Sequence, residues 1–124
     1  MVRHDRATGF TLVEILVIVT VLMILASASY FFMGGWRERA AVTEVKNDLV
    51  GASTALENQR NFSTGYPSSL ASSVFTPTAT VELNYTRRGD GSYCLNGSSR
   101  VSSDVEWYID SRTNKQLTEG TCAP

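Results

Sequence analysis

A chain of 124 residues with a formal net charge of −1 and one histidine has room for a single small domain beside any anchoring segment. Its near-neutral balance supplies no general attraction to nucleic acid or to anionic lipid. Neither a nucleophile–base pair nor a glycine-rich phosphate loop stands in it, and the single histidine, His4, lies in the first nine residues, so the chain reads as non-enzymatic, with no cofactor and no metal centre.

The chain begins with a short polar leader, Met1 to Gly9, that carries Arg3 and Arg6. An apolar run of 24 residues, Phe10 to Met33, follows and holds one charge, Glu14. At about 1.5 Å rise per residue, a helix of that length covers the ~30 Å hydrocarbon core of a bilayer. Arg3 and Arg6 before it put the amino end on the cytoplasmic side by the positive-inside rule. A carboxylate inside such a segment costs several kcal/mol, so Glu14 calls for a partner.

Gly9-Phe10-Thr11-Leu12-Val13-Glu14, followed by Ile15-Leu16-Val17-Ile18, closely resembles the leader junction of type IV pilins and type II secretion pseudopilins. The resemblance covers the leader and the apolar segment, and it joins three features: a short basic leader, a Gly-aromatic junction and a buried acid. It implies that a membrane-embedded prepilin peptidase cleaves between Gly9 and Phe10 and methylates the new amino terminus. It further implies that Glu14 pairs with the terminal amine of Phe10 on a neighbouring subunit during filament assembly. A secretory signal is the rival reading, with Ala26-Ser27-Ala28 as its cleavage site, but such peptides have apolar stretches of about 7–15 residues and no acid within them. A plain single-pass anchor is the other. Many pilins carry a proline in the apolar segment and this one has none, which leaves Gly34-Gly35 as the candidate flexible site.

The patch Ala26-Ser27-Ala28-Ser29 suits close packing among identical helices. Trp36 and the alternating charges Arg37-Glu38-Arg39 mark the membrane exit. Val42, Val45, Leu49, Ala52 and Leu56 then recur at helical spacing to about Gln59, so the amphipathic half, residues 36–60, continues the membrane half, residues 10–35. Together they predict one helix of roughly 50 residues, or ~75 Å if unbroken.

From Asn61 to Thr78 the composition turns to Ser, Thr, Gly and Pro and predicts a loop held by Phe62, Tyr66, Leu70 and Phe75 as buried pegs. Strands are predicted over Thr80–Arg87, from Ser92 to Leu95, over Val105–Ile109 and near Gln116–Thr118. The turns between them fall at Arg88–Gly91, Asn96–Ser99 and Ser111–Asn114. An antiparallel meander of three or four strands laid on the amphipathic half of the helix makes residues 36–124 one globular head, the α+β pilin fold that the resemblance implies.

Cys94 and Cys122 both follow the apolar segment, on the side where disulfides persist, and have neither CxxC spacing nor histidine neighbours. A Cys94–Cys122 disulfide is expected. Arg87 and Arg88, near Tyr85 and Tyr93, form the one candidate contact for DNA or a surface; a solvated basic turn is the plainer meaning. Asp90, Asp104, Glu106 and Asp110 could hold calcium, but their spacing matches no calcium loop. Three N-glycosylation patterns, at Asn61, Asn84 and Asn96, are what a Ser/Thr-rich chain yields by chance.

The sequence thus predicts a filament subunit: a homo-oligomer served by prepilin peptidase and pilus assembly machinery, single-pass in the cytoplasmic membrane before assembly and extracellular after it. Two alternatives stand beside it, a minor pilin that binds DNA or a surface at a filament tip and a pseudopilin of a secretion system.

Overall fold

The computed structural model describes residues 9–124; the leader residues Arg3, His4 and Arg6, read above as cytoplasmic and removed on cleavage, lie outside the described residues. A single helix, α1 (Leu12–Phe62), is followed by four strands, β1 (Val81–Arg87), β2 (Tyr93–Ser99), β3 (Glu106–Asp110) and β4 (Leu117–Glu119). The strands form one antiparallel sheet in the order β1-β2-β3-β4, the meander expected from the turn spacing. The chain divides into two compact units, Met1–Trp36 and Arg37–Pro124.

In the first unit, α1 is apolar on all sides and its side chains are exposed. It is long and apolar enough to cross a membrane. The hydroxyls of Thr20, Ser27 and Ser29 donate to the carbonyls of Val17, Ile24 and Leu25 within the helix, at 2.8–2.9 Å. Polar side chains satisfied in this way can enter lipid at little cost. Helix continues through Gly34 and Gly35, each of which lowers helix stability by about 1 kcal/mol relative to alanine.

In the second unit, one stripe of α1 is buried: Ala41, Val45, Leu49, Ala52 and Leu56, at successive spacings of four, four, three and four. Val42, expected in this stripe, lies at its margin, and Ala41 takes the central place. The sheet covers the stripe with Val81, Tyr93, Leu95 and Ile109.

Two glycines record how tightly the layers meet. A Cβ on Gly97 would lie 3.0 Å from Leu49 Cγ and 3.1 Å from Val45 Cγ1, so a side chain there would have to push the helix residues back by a few tenths of an ångström. Asn96–Ser99, expected as a turn, pairs with β1 and, through Asn96–Ser98, with β3, and so is part of β2; its glycine answers to helix packing, and the reversal falls instead between Arg100 and Val105. Gly51, inside α1, makes room for the Phe75 ring, whose Cε2 lies 2.8 Å from where a Cβ would stand.

The long connection to β1 is pinned by polar contacts as well as apolar pegs. Asp48, buried on α1, accepts from the backbone amide of Thr78 at 2.7 Å and from its hydroxyl at 3.1 Å. Tyr66 is buried, and Leu70 and Phe75 pack against the core. Phe62, expected as a peg, is 89% exposed: α1 runs on to Phe62, three residues beyond the expected end, and carries that ring outward.

Candidate functional site

At the start of α1, Thr11 and Glu14 close on each other. The Glu14 amide donates to Thr11 Oγ1 at 3.3 Å, and the Thr11 amide donates to Glu14 Oε2 at 3.4 Å. This reciprocal pair is a capping box, in which two of the helix's unpaired amides gain side-chain acceptors. The sequence reading singled out Glu14 for its charge and passed over the T-x-x-E spacing that announces this second role. Both residues are exposed, as are Gly9 and Phe10 before them. Further along, Leu25, Ala28, Ser29, Phe32, Met33 and Trp36 line an apolar groove in which the small residues lie between large ones.

In the head, strand alternation sends Cys94 and Asn96 to the face of β2 away from α1, and Asp110 to the same face of β3. The carboxyl tail covers this face. Cys94 and Cys122 are joined by a disulfide, with their Cα atoms 6.0 Å apart. Asn96 seats the tail from the side: its Oδ1 accepts from the Cys122 amide at 2.9 Å. Arg88 completes the fastening. Its guanidinium forms a two-pronged pair with Asp110, both contacts at 2.9 Å, and also donates to the Ala123 carbonyl. The Arg88 side chain is 8% exposed and that of Asp110 13%, so the pair works in a poorly solvated place. The hydrogen bond from Arg88 holds the Asp110 carboxyl below the usual carboxylate range, against the opposing effect of burial. Reciprocally, the Asp110 carboxylate raises Arg88.

The arginine pair is thus divided. Arg87 is exposed, whereas Arg88 is spent on Asp110 and Ala123 and is no longer offered to a ligand. The flanking tyrosines are engaged too: Tyr93 is fully buried, with its hydroxyl 2.8 Å from Ser53 Oγ, and the Tyr85 hydroxyl donates to the Pro67 carbonyl at 2.7 Å. A stacking platform for bases would need those rings in solvent.

The four candidate calcium acids are not brought together. Asp90 accepts from Ser92 and Arg112, Asp110 from Arg88, and Asp104 and Glu106 lie at the opposite end of the sheet.

The prokaryotic N-terminal methylation motif matches residues 5–30 of this chain. The type II secretion system core protein G of Vibrio cholerae is 33% identical to it over 92 residues, covering 72% of this chain and 63% of that protein. The protein of the same name from Aeromonas hydrophila is 34% identical over 94 residues, covering 73% and 64%. The chain carries the amino-terminal methylation motif and is similar over most of its length to type II secretion pseudopilins. It spans a little under two thirds of the length of the curated relatives it matches. The α+β pilin fold expected from the strand pattern and from the resemblance at Gly9–Ile18 is the fold of the chain: a long apolar amino-terminal helix followed by a four-stranded antiparallel sheet that packs on the helix within the head.

A second cluster in this pilin-like head was not anticipated. Glu57 on α1 is met by Lys115 from the β3–β4 turn and by the hydroxyl of Tyr66. Burial raises its carboxyl, but the hydrogen bonds from Lys115 and Tyr66 outweigh it and the net shift is downward. No local pattern links positions 57, 66 and 115; Asn114 and Lys115, both with positive φ (55° and 57°), form the bend that delivers the amine.

Glu57 and Asp110 therefore titrate lower folded than unfolded. At about pH 4, within the ordinary carboxylate range, the unfolded chain binds more protons than the folded one, so stability rises with pH there. We expect the head's melting temperature to be level above about pH 5 and to fall as the pH drops through and below that range. Melting followed by circular dichroism from pH 7 to pH 3 checks this, and Asp110→Asn should flatten the fall.

Proposed function

We propose that this chain is a structural subunit of a pilin-like filament. Stored as a single-pass membrane protein, it is cleaved by prepilin peptidase between Gly9 and Phe10 and polymerised through its amino-terminal helix by an assembly machinery. The observation that carries this reading is the placement of Glu14: one acid, at the head of an exposed apolar helix, inside a methylation motif. Within a helix bundle an unpaired carboxylate is strongly unfavourable, and the amine of Phe10 freed by cleavage on a neighbour is the nearest counter-charge such a bundle provides. Only one stagger of the two helices brings them together, so the pairing selects register. The groove at Ala28 and Ser29 lets a second helix approach closely where lipid gives no hydrophobic drive.

Glu14→Ala should reduce assembled filaments at least tenfold in cells lacking the wild-type gene while leaving membrane insertion and cleavage intact, read by shearing, sedimentation and the mass of the processed chain. Normal yield from Glu14→Ala would defeat the proposal. A mature subunit that begins at methylated Phe10 is the matching mass result.

Both relatives are secretion-system proteins, and this favours a pseudopilin working in protein export over a major pilin of surface fibres. Loss of the gene should then abolish export of the proteins that the system secretes. A major pilin would instead dominate the sheared surface fraction.

A further inference from the structure

The strand register sorts the charges of the head by end. The Thr80 hydroxyl donates to Glu44 at 2.6 Å and ties the start of β1 to the Ala41 end of the head's helical stripe. Glu82 lies opposite Ser98, and Ser98 opposite Glu106, so these two acids cross the sheet on one line. Glu119 lies opposite Trp107, one residue from Glu106, and Asp104 is exposed in the adjoining connection. With Glu38, Arg37 and Arg39 on the turn of α1 just before Ala41, six acids gather at this end against four cations; the other two cations are Arg100, 4.0 Å from Glu82, and Lys46, whose amine sits 3.9 Å above the Trp107 ring. The balance there is −2.

The opposite end, where α1 finishes, carries five cations. Arg60, Arg87 and Lys115 line a concavity of about 710 Å³ together with Asp90, Gly65, Gly91 and other uncharged residues. Arg88 and Arg112 lie beside it. Three acids accompany them, Glu57, Asp90 and Asp110, and each is already held by a cation. The balance there is +2. Among the described residues Arg87 makes no ion pair, and the Arg60 side chain is 54% exposed, so the wall of the concavity keeps positive charge to offer.

We propose that this basic concavity receives the acidic edge of a second copy of the chain, Glu82 and Glu106 foremost, and that this contact fixes how heads stack along the filament. The inference rests on the filament reading above. Subunits polymerised through one amino-terminal helix all point the same way, so a contact along the axis joins unlike surfaces, one head's basic end to the next head's acidic end. A surface of mixed sign would set no preference, whereas two ends of opposite sign favour this approach and penalise the reverse. Such contacts between exposed groups are screened over about 10 Å at 0.1 M salt, so they act only when the ends come close.

The test is charge reversal with restoration in the full chain. Arg87→Glu alone, and Glu82→Lys with Glu106→Lys, should each lower the assembled fraction at least fivefold. All three substitutions in one chain should return at least half of the wild-type yield. Melting of the detergent-solubilised chains establishes that the heads are folded, and the milder Arg87→Gln and Glu106→Gln should show the same ranking where a reversal disturbs the fold. Wild-type yield from either reversal overturns the proposal. So does a triple variant as poor as its parents, which would mean that the concavity takes some other anion. Failure of the filament reading is separate: in that case wild type and Glu14→Ala assemble alike or not at all, whatever the head carries.

Discussion

Replacing Arg88 with alanine should lower the stability of the head by roughly 2–4 kcal/mol, because it strands a poorly solvated carboxylate and frees the tail at once. Asp110 loses both 2.9 Å contacts from the guanidinium and keeps only the donation from the Arg112 amide, and the Ala123 carbonyl loses its donor. For a domain of this size each kcal/mol shifts melting by about 4–8 °C, so the loss is visible in a thermal melt of the detergent-solubilised chain. Arg88→Lys keeps the charge but not the planar fork, and should recover less than half of the loss. Arg87→Ala, one residue away in an exposed position, should stay within about 0.5 kcal/mol of wild type. Equal melting of Arg87→Ala and Arg88→Ala would refute the division of labour described here. The contrast also decides how a DNA-binding variant is to be read: lost retention on DNA in Arg88→Ala reports on the fold, and only Arg87→Ala isolates the surface.

Removing the disulfide, by Cys94→Ser with Cys122→Ser or by reduction, should cost roughly 3–4 kcal/mol on the chain-entropy account for a separation of 28 residues. That is a large part of what holds a small domain folded. The covalent link and the Arg88–Ala123 contact hold the same segment, so their losses should not add. Once the tail is free, Arg88 no longer has Ala123 to hold, and the combined variant should melt above the sum of the separate losses. Additive losses would show that Arg88 acts through Asp110 alone. Until it detaches, the reduced tail is held by the Cys122 amide bound to Asn96 and the Ala123 carbonyl bound to Arg88, so local detachment, read by hydrogen exchange at 121–123, should precede global unfolding.

Where an element depends on residues near each other in the chain, the sequence was enough. The apolar run, the period of three and four in the buried stripe and the turn residues at Arg88–Gly91 are all local patterns, and they carried the helix, the strand order and the family resemblance; the T-x-x-E cap is equally local, though it was passed over beside the charge of Glu14. The errors fall where a residue answers to a distant one. Asn96–Ser99 has the composition of a turn, yet it pairs with β1 on one side and Asn96–Ser98 pairs with β3 on the other, while Gly97 leaves room for Leu49 and Val45 of the helix. Phe62 is apolar, yet helix phase carries it away from the core.

The candidate site divides in the same way. Glu14 with the Gly9-Phe10 junction could be named from the sequence because a charge in an apolar run is anomalous wherever it stands. Which of two adjacent arginines is buried, which acids gather at one end of the sheet, and that Glu57, Tyr66 and Lys115 meet, followed from register and from the path of the tail. Those are long-range facts: pairing an arginine with a carboxylate 22 positions away, or an amine with one 58 positions away, depends on a sheet and a helix that must pack before the charges can find each other.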